Sequence, residues 1–200
     1  MAASKQPTLE DGDFFADVTF SDLTIESADL SNREFERCTF RRCTLPHSRW
    51  VKTRLEDCVF ERCDLRQMVP ERLALRGVTF ADTRLMGVDW SQLGTMPVVQ
   101  FERCDLRYSS FVALKLRKTR FVGCNAREAI FIDVDLSEAD FTDTDMPGST
   151  VQGCILVKTN FSLSTGLLFN PQANQVKGAR ISVETAVALA QSLGMVVEGS

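Results

Sequence analysis

The sequence predicts an all-β solenoid: a parallel β-helix of four sides, wound from five-residue repeats and closed by a C-terminal α-helical cap. Three observations predict it. Large apolar residues return at every fifth position, Phe returns at every twentieth, and the residue two places before each grid position is small or β-branched. A five-residue spacing fits neither a helix, where five steps leave the starting face, nor a straight strand, whose faces alternate. The chain must therefore turn a corner once per repeat.

The grid starts at Phe20 and runs through Ile25, Leu30, Phe35, Phe40, Leu45, Trp50, Leu55, Phe60, Leu65, Pro70, Leu75, Phe80 and Leu85 to Trp90. It slips by one residue and resumes at Met96, Phe101, Leu106 and Phe111, continuing to Phe161. Taking every fourth grid position gives Phe20, Phe40, Phe60, Phe80, Phe101, Phe121, Phe141 and Phe161. A three-sided coil would scramble that column, whereas a twenty-residue coil of four sides stacks it. Because the column survives the slip, residues 91–99 form a bulge within one solenoid.

By strand alternation the residue two before each grid position faces inward as well. These slots hold all seven cysteines, Cys38, Cys43, Cys58, Cys63, Cys104, Cys124 and Cys154, among Ser, Thr, Val and Ala. Arg33, Leu23, Met68, Leu73 and Leu114 break the rule, so local distortion is expected near Arg33 and around Met68 to Pro70.

Three segments follow. Residues 1–14 are an N-terminal lead-in or cap, with an acidic run and Phe14 and Phe15 to cover the open end. Residues 15–165 are the repeat, and residues 166–200 are a helical cap and dimerisation segment, since a solenoid must close both ends. In the cap Ser182 is the expected N-cap, Glu184 favours the first turn and Gly194 stops the helix. Val183, Ala186, Val187, Ala190 and Leu193 form one apolar face, followed by Met195, Val196 and Val197. One last coil can cover one of these surfaces but not both, which makes a two-fold interface the economical solution.

Segments such as Ala139-Asp140-Phe141-Thr142-Asp143 resemble the pentapeptide-repeat family, with its A(D/N)LXX consensus, over roughly residues 15–165. The resemblance implies a right-handed β-helix; about seven coils at ~4.8 Å give a core of ~35 Å, similar to a stretch of duplex DNA. The tail, Ala179-Arg180-Ile181-Ser182 into Ser192-Leu193-Gly194-Met195, resembles the C-terminal cap of topoisomerase-protecting members, the quinolone-resistance Qnr proteins and the albicidin-resistance protein. Gly87-Val88-Asp89-Trp90 and Phe101-Glu102-Arg103-Cys104 look more like the albicidin-resistance branch. Qnr proteins carry long loops, whereas this chain has only the bulge and an irregular 67–72. The resemblance implies a homodimer joined through Val183, Val187, Leu189, Leu193, Met195, Val196 and Val197. It further implies a bacterial, DNA-mimicking antibiotic-resistance protein that binds DNA gyrase or topoisomerase IV. The alternative is an interaction scaffold with an unrelated protein partner.

Charge is segregated along the chain. Residues 6–32 hold seven acids and no base, residues 33–76 eleven bases against seven acids, and residues 128–157 seven acids and no base. The last group, Glu128, Asp133, Asp135, Glu138, Asp140, Asp143 and Asp145, wraps a coil as a belt and is the candidate partner-binding site. Two readings of it stand open: a field that steers a cationic partner, or Asp side chains that bond the turns.

The remaining readings are exclusions. A net charge of −4 argues against direct nucleic-acid binding. No apolar run approaches the ~20 residues of a membrane span. No secretory signal is read in Met1 to Asp13, so the expected location is cytoplasmic. The cysteines form no CxxC pair and are expected to fill space as reduced thiols, with no metal. His47, the one histidine, falls on an outward corner, no Ser has a general base at hand, and a convex rod offers no active-site cleft. Neither catalysis nor a cofactor is expected.

Overall fold

The computed structural model describes residues 8–9 and 12–198; the rest of the acidic lead-in and residues 199–200 lie outside the described residues. From Phe14 onward the chain winds a parallel β-solenoid of about eight turns, ending in one α-helix, Val183–Ser192. The Phe column forms the longest sheet, Thr19–Ser21, Thr39–Arg41, Val59–Glu61, Val78–Ala81, Val99–Glu102 and Phe121–Val122. A second face stacks Phe14–Ala16, Glu34–Glu36, Arg54–Glu56 and Ala74–Arg76, and a third stacks Ser110–Val112, Ile130–Ile132 and Thr150–Gln152. The fourth is built of single bridges, Thr24 to Thr44, Thr44 to Asp64, Asp64 to Arg84 and onward to Thr165. Register advances by twenty residues per turn, as in Phe40↔Phe60, and by twenty-one across the bulge, Phe80↔Phe101.

Corners explain how such short strands can exist. Outside the bulge every fifth residue, from Asp17, Asp22, Ser27 and Asn32 to Lys158 and Leu163, adopts a left-handed φ, for example 58° at Asp17, 59° at Lys118 and 67° at Gly77. That conformation costs a β-branched residue most, and no Val, Ile or Thr stands at these corners.

Inside, the eight Phe rings lie 4.5 to 5.6 Å from their neighbours one turn away, all near-parallel. The small slots do more than fill space. Cys43 Sγ donates to the Phe20 carbonyl, Thr53 Oγ1 to Leu30, Cys58 Sγ to Phe35 and Thr159 Oγ1 to Leu136, each reaching one turn back. Cysteine here acts as a variant of Ser or Thr, a role that volume alone does not reveal.

Four expectations need correction. Met96 leaves its column and is 72% exposed, while Pro97 turns inward. Gly94 N–H donates to the Leu73 carbonyl in normal register, but Val98 donates to Leu75 two residues late. Pro97, which has no N–H, sits in the slipped stretch. Second, Met68 and Pro70 are buried in a regular turn, bridged by Arg49↔Val69, so 67–72 is not irregular. The Arg33 side chain likewise disturbs nothing: it turns out to bond the Leu9 carbonyl beside a regular strand. Third, Ile25 is exposed, although it stands on the apolar grid. Fourth, the coil does not stop at 165: Ile155 bridges Gln175, and Asn160–Phe161 pairs with Arg180–Ile181. Asn174 occupies the small slot above Cys154 and donates Nδ2 to the Val151 carbonyl, so a polar residue continues the repeat that an apolar grid cannot see.

Candidate protein-binding surface

The acidic residues of 128–145 are placed by the repeat in two kinds of site. Glu128, Asp133, Glu138 and Asp143 stand at four successive corners, all left-handed and all exposed, so they ring one turn. Asp135, Asp140 and Asp145 lie on the faces between. There Asp135 accepts from Ser137 N–H and Oγ, and Asp140 from Thr142 N–H and Oγ1 and from Asn160 Nδ2. Asp145 accepts from Thr165 Oγ1. Burial works against charging Asp135, yet the Ser137 hydrogen bonds and the Arg117 charge hold its carboxyl below the usual range. Asp135 and Asp140 are thus turn-forming groups, whereas the corner carboxylates take no part in the turns.

The turn beneath the belt is basic, a feature the segment-by-segment charge count missed. Residues 101–127 hold seven bases against two acids. Arg117 lies 3.4 Å from both Asp135 and Glu138, Lys118 3.9 Å from Glu138, and Arg127 3.9 Å from Asp145. Glu128, Asp133 and Asp143 have no cation within 4 Å among the described residues.

At the C-terminus Ser182 caps the helix, accepting from Thr185 N–H at 3.0 Å, as its sequence position suggests. The side packed on the last turn is Thr185 and Leu189, both buried with Leu167 and Phe169. Leu189 is therefore satisfied within its own chain and drops out of the expected interface. Both apolar surfaces of the tail remain open, contrary to the expectation that the last turn covers one. Val183 is 82%, Leu193 53%, Met195 57% and Val196 89% exposed, while Val187 and Val197 are half-buried.

Residues 94–166 match the family model described as the pentapeptide repeat region. The same left-handed corners and twenty-residue register run through the turns before that stretch. Residues 94–166 thus carry a pentapeptide repeat region. No curated protein matches it in sequence. Among solved structures, trypsin-treated QnrB1, a plasmid-mediated fluoroquinolone resistance protein, superposes with a TM-score of 0.52 at 20% identity, covering 93% of this chain and 92% of that one. HetL, a pentapeptide repeat protein involved in heterocyst differentiation regulation from the cyanobacterium Nostoc sp. strain PCC 7120, gives 0.52 at 13% identity, covering 82% and 87%. At these identities the likeness is one of fold.

The seven thiols are buried and free of disulfides. The neighbouring thiol and burial push Cys58 and Cys63 up, and burial pushes Cys104 and Cys154 up. Among the described residues no three His, Cys, Asp or Glu side chains gather as metal ligands. His47 stands on an exposed corner. Among the described residues no helix is long and apolar enough to cross a membrane.

Proposed function

We propose that the chain is a non-catalytic, DNA-mimicking rod that binds DNA gyrase or topoisomerase IV and protects it from a poison of albicidin or quinolone type. The observation that carries this reading is the ring of corner carboxylates, of which Glu128, Asp133 and Asp143 are unpaired among the described residues and face outward. A ring of fixed negative charge on a narrow rod suits a cationic groove built for DNA, and it acts by occupying that groove. The open helix face and the 195–197 strip would join two copies end to end, bringing two such rings toward the middle of a longer rod. The fold shared with QnrB1, whose name carries fluoroquinolone resistance, supports this class of poison. The test is a gyrase supercoiling assay with and without poison: the chain restores supercoiling at a poison dose that otherwise abolishes it, and failure to restore it with albicidin and with a quinolone rejects the proposal.

A second reading, a scaffold for an unrelated protein partner, is favoured by the basic turn at 101–127. It neutralises Glu138 and part of the face carboxylates, and so shortens the reach of the anionic field. Under that reading the same assay shows no protection against either poison.

A further inference from the structure

One sheet of the solenoid carries no charge on its outer side. Ser110–Val112, Ile130–Ile132 and Thr150–Gln152 stack in register, and their outward residues are Ser110, Val112, Ile130, Ile132, Thr150 and Gln152. Ile130 is 37% exposed, and Val112 and Ile132 are half-buried. On the other two long sheets the same positions include Glu34, Glu36, Arg54 and Glu56, or Arg41, Glu61 and Glu102.

All the charge on this side of the solenoid is negative. The stretches 87–92, 108–113, 128–133 and 148–153, which form it over four turns, hold Asp89, Glu128 and Asp133 and no base. Asp89 accepts from Ser91 N–H one turn below the sheet. Glu128 and Asp133 stand at the two corners that bound the Ile130–Ile132 strand. Gly148 and Gly153 occupy the same corners one turn up, where a Cβ would press on Glu128 Cγ and Asp133 Oδ1, so both side chains lie along the edges of the sheet. The bases that adjoin these stretches are placed with other acids. Arg107 pairs with Asp105 at 2.7 Å, Arg127 lies 3.9 Å from Asp145, and Lys115 is in register with Asp135. Beneath the four turns mixed charge returns with Glu71 and Arg72.

An apolar sheet face between two acidic edges is the complement of an amphipathic helix with basic flanks. Laid along the solenoid axis, such a helix repeats its apolar stripe every ~5.4 Å, close to the ~4.8 Å between solenoid turns. The stripe therefore meets Val112, and then Ile130 and Ile132, in step. We propose that this face receives an amphipathic helix of a partner protein. Its apolar stripe packs on Val112, Ile130 and Ile132, and a Lys or Arg on each flank pairs with Glu128 on one edge and Asp133 on the other. Tyr108, 52% exposed at the corner beneath Glu128, supplies a ring for the basic side chain on that flank. A second copy of the chain suits the face less. Two such faces would set carboxylates against carboxylates, and the chain's own helix carries Glu184 and no Lys or Arg. Duplex DNA is repelled by the same carboxylates. The site shares Glu128 and Asp133 with the corner ring, but it needs the two Ile side chains, which mimicry of DNA does not, and it stands whether or not the partner is a topoisomerase.

A fluorescein-labelled peptide, Ala-Lys-Leu-Lys-Ala-Leu-Leu twice in tandem, titrated with the full chain and followed by anisotropy, tests it. The chain binds this peptide saturably and does not bind the counterpart with Glu in place of every Lys. Affinity falls about tenfold or more in the double variant Ile130→Thr, Ile132→Gln and in the double variant Glu128→Gln, Asp133→Asn. The first takes its residues from Thr150 and Gln152, which hold the same positions one turn up, and both keep the parent melting midpoint. Asp143→Asn, at a corner of the ring away from this face, leaves peptide binding intact. The proposal is overturned if the parent shows no saturable binding, if the Glu counterpart binds as tightly, or if either double variant binds as the parent does.

Discussion

Trp50 and Trp90 occupy the same column, both fully buried, and differ in the hydrogen bonding of the indole N–H. The Trp50 indole N–H donates to Ser48 Oγ at 2.8 Å, whereas the slot two before Trp90 is Val88 and its N–H has no partner. Replacing either by Phe removes the same ring volume, but only Trp50→Phe breaks a hydrogen bond. Trp50→Phe should therefore cost ~1 kcal/mol more than Trp90→Phe in denaturant melts; equal costs would mean the bond adds no net stability. The thiols offer a second comparison. Cys43→Ser keeps a donor for the Phe20 carbonyl and Cys43→Ala does not, so the Ala variant should be the less stable by ~1 kcal/mol. An Ala variant at least as stable as the Ser variant would return the thiols to the role of plain filler. At this scale the inward positions were legible in the sequence, because apolarity and size are residue properties. The bonds of the thiols and hydroxyls were not, since their acceptors are backbone carbonyls set by register 23 or 24 residues away.

Between elements, the rings and the ion pairs staple successive turns. Phe121 stacks on Phe101 at 5.1 Å and on Phe141 at 4.5 Å, so Phe121→Ala should cost ~3–5 kcal/mol and lower the melting temperature cooperatively, seen by circular dichroism. A loss under ~1 kcal/mol would deny the column its structural weight. Arg37, Arg42 and Arg103 reach back to Asp17, Asp22 and Asp82, and these hydrogen bonds hold the three carboxyls below the usual range. At Asp64 and Asp105 burial pushes upward, and the hydrogen bonds and charge of Arg66 and Arg107 more than offset it. A carboxyl depressed in the folded state stabilises fully above its unfolded pKa of ~4 and loses that contribution as pH falls through the folded value. The melting temperature should accordingly be level from about pH 8 to 5 and drop below about pH 4; a rise in acid would contradict the pairing. The Phe column gave four sides and the register, and Ser182 gave the helix start. The bulge was legible as a slip, but its geometry was not: apolarity favours Met96 for the column, whereas the missing N–H of Pro97 goes with a register that slips there and leaves Met96 outside. The extra turn to Ile181 escaped notice because Asn174 and Gln175 maintain it with polar groups.

At the scale of the whole molecule the account rests on two exposed features, the open apolar tail and the ring of corner acids. Leu193→Glu with Val196→Glu should give a folded monomer by sedimentation velocity where the parent is a dimer; a parent that sediments as a monomer would remove the end-to-end rod. The acidic belt was legible as composition but not as two populations, since only the hydrogen bonds and ion pairs separate turn-forming Asp135 and Asp140 and the paired Glu138 from the corners Glu128, Asp133 and Asp143. That separation decides which residues to reverse. Reversing Asp140 would break the turn at Thr142, whereas Glu128, Asp133 and Asp143 can be changed to Lys with the coil intact. The most direct measurement is gyrase binding by the parent and by this triple variant, at salt from about 50 to 200 mM. The account predicts parent binding that weakens steeply as salt rises and a folded triple variant that does not bind. Parent binding indifferent to salt, or a triple variant that binds as tightly, would contradict electrostatic mimicry of DNA.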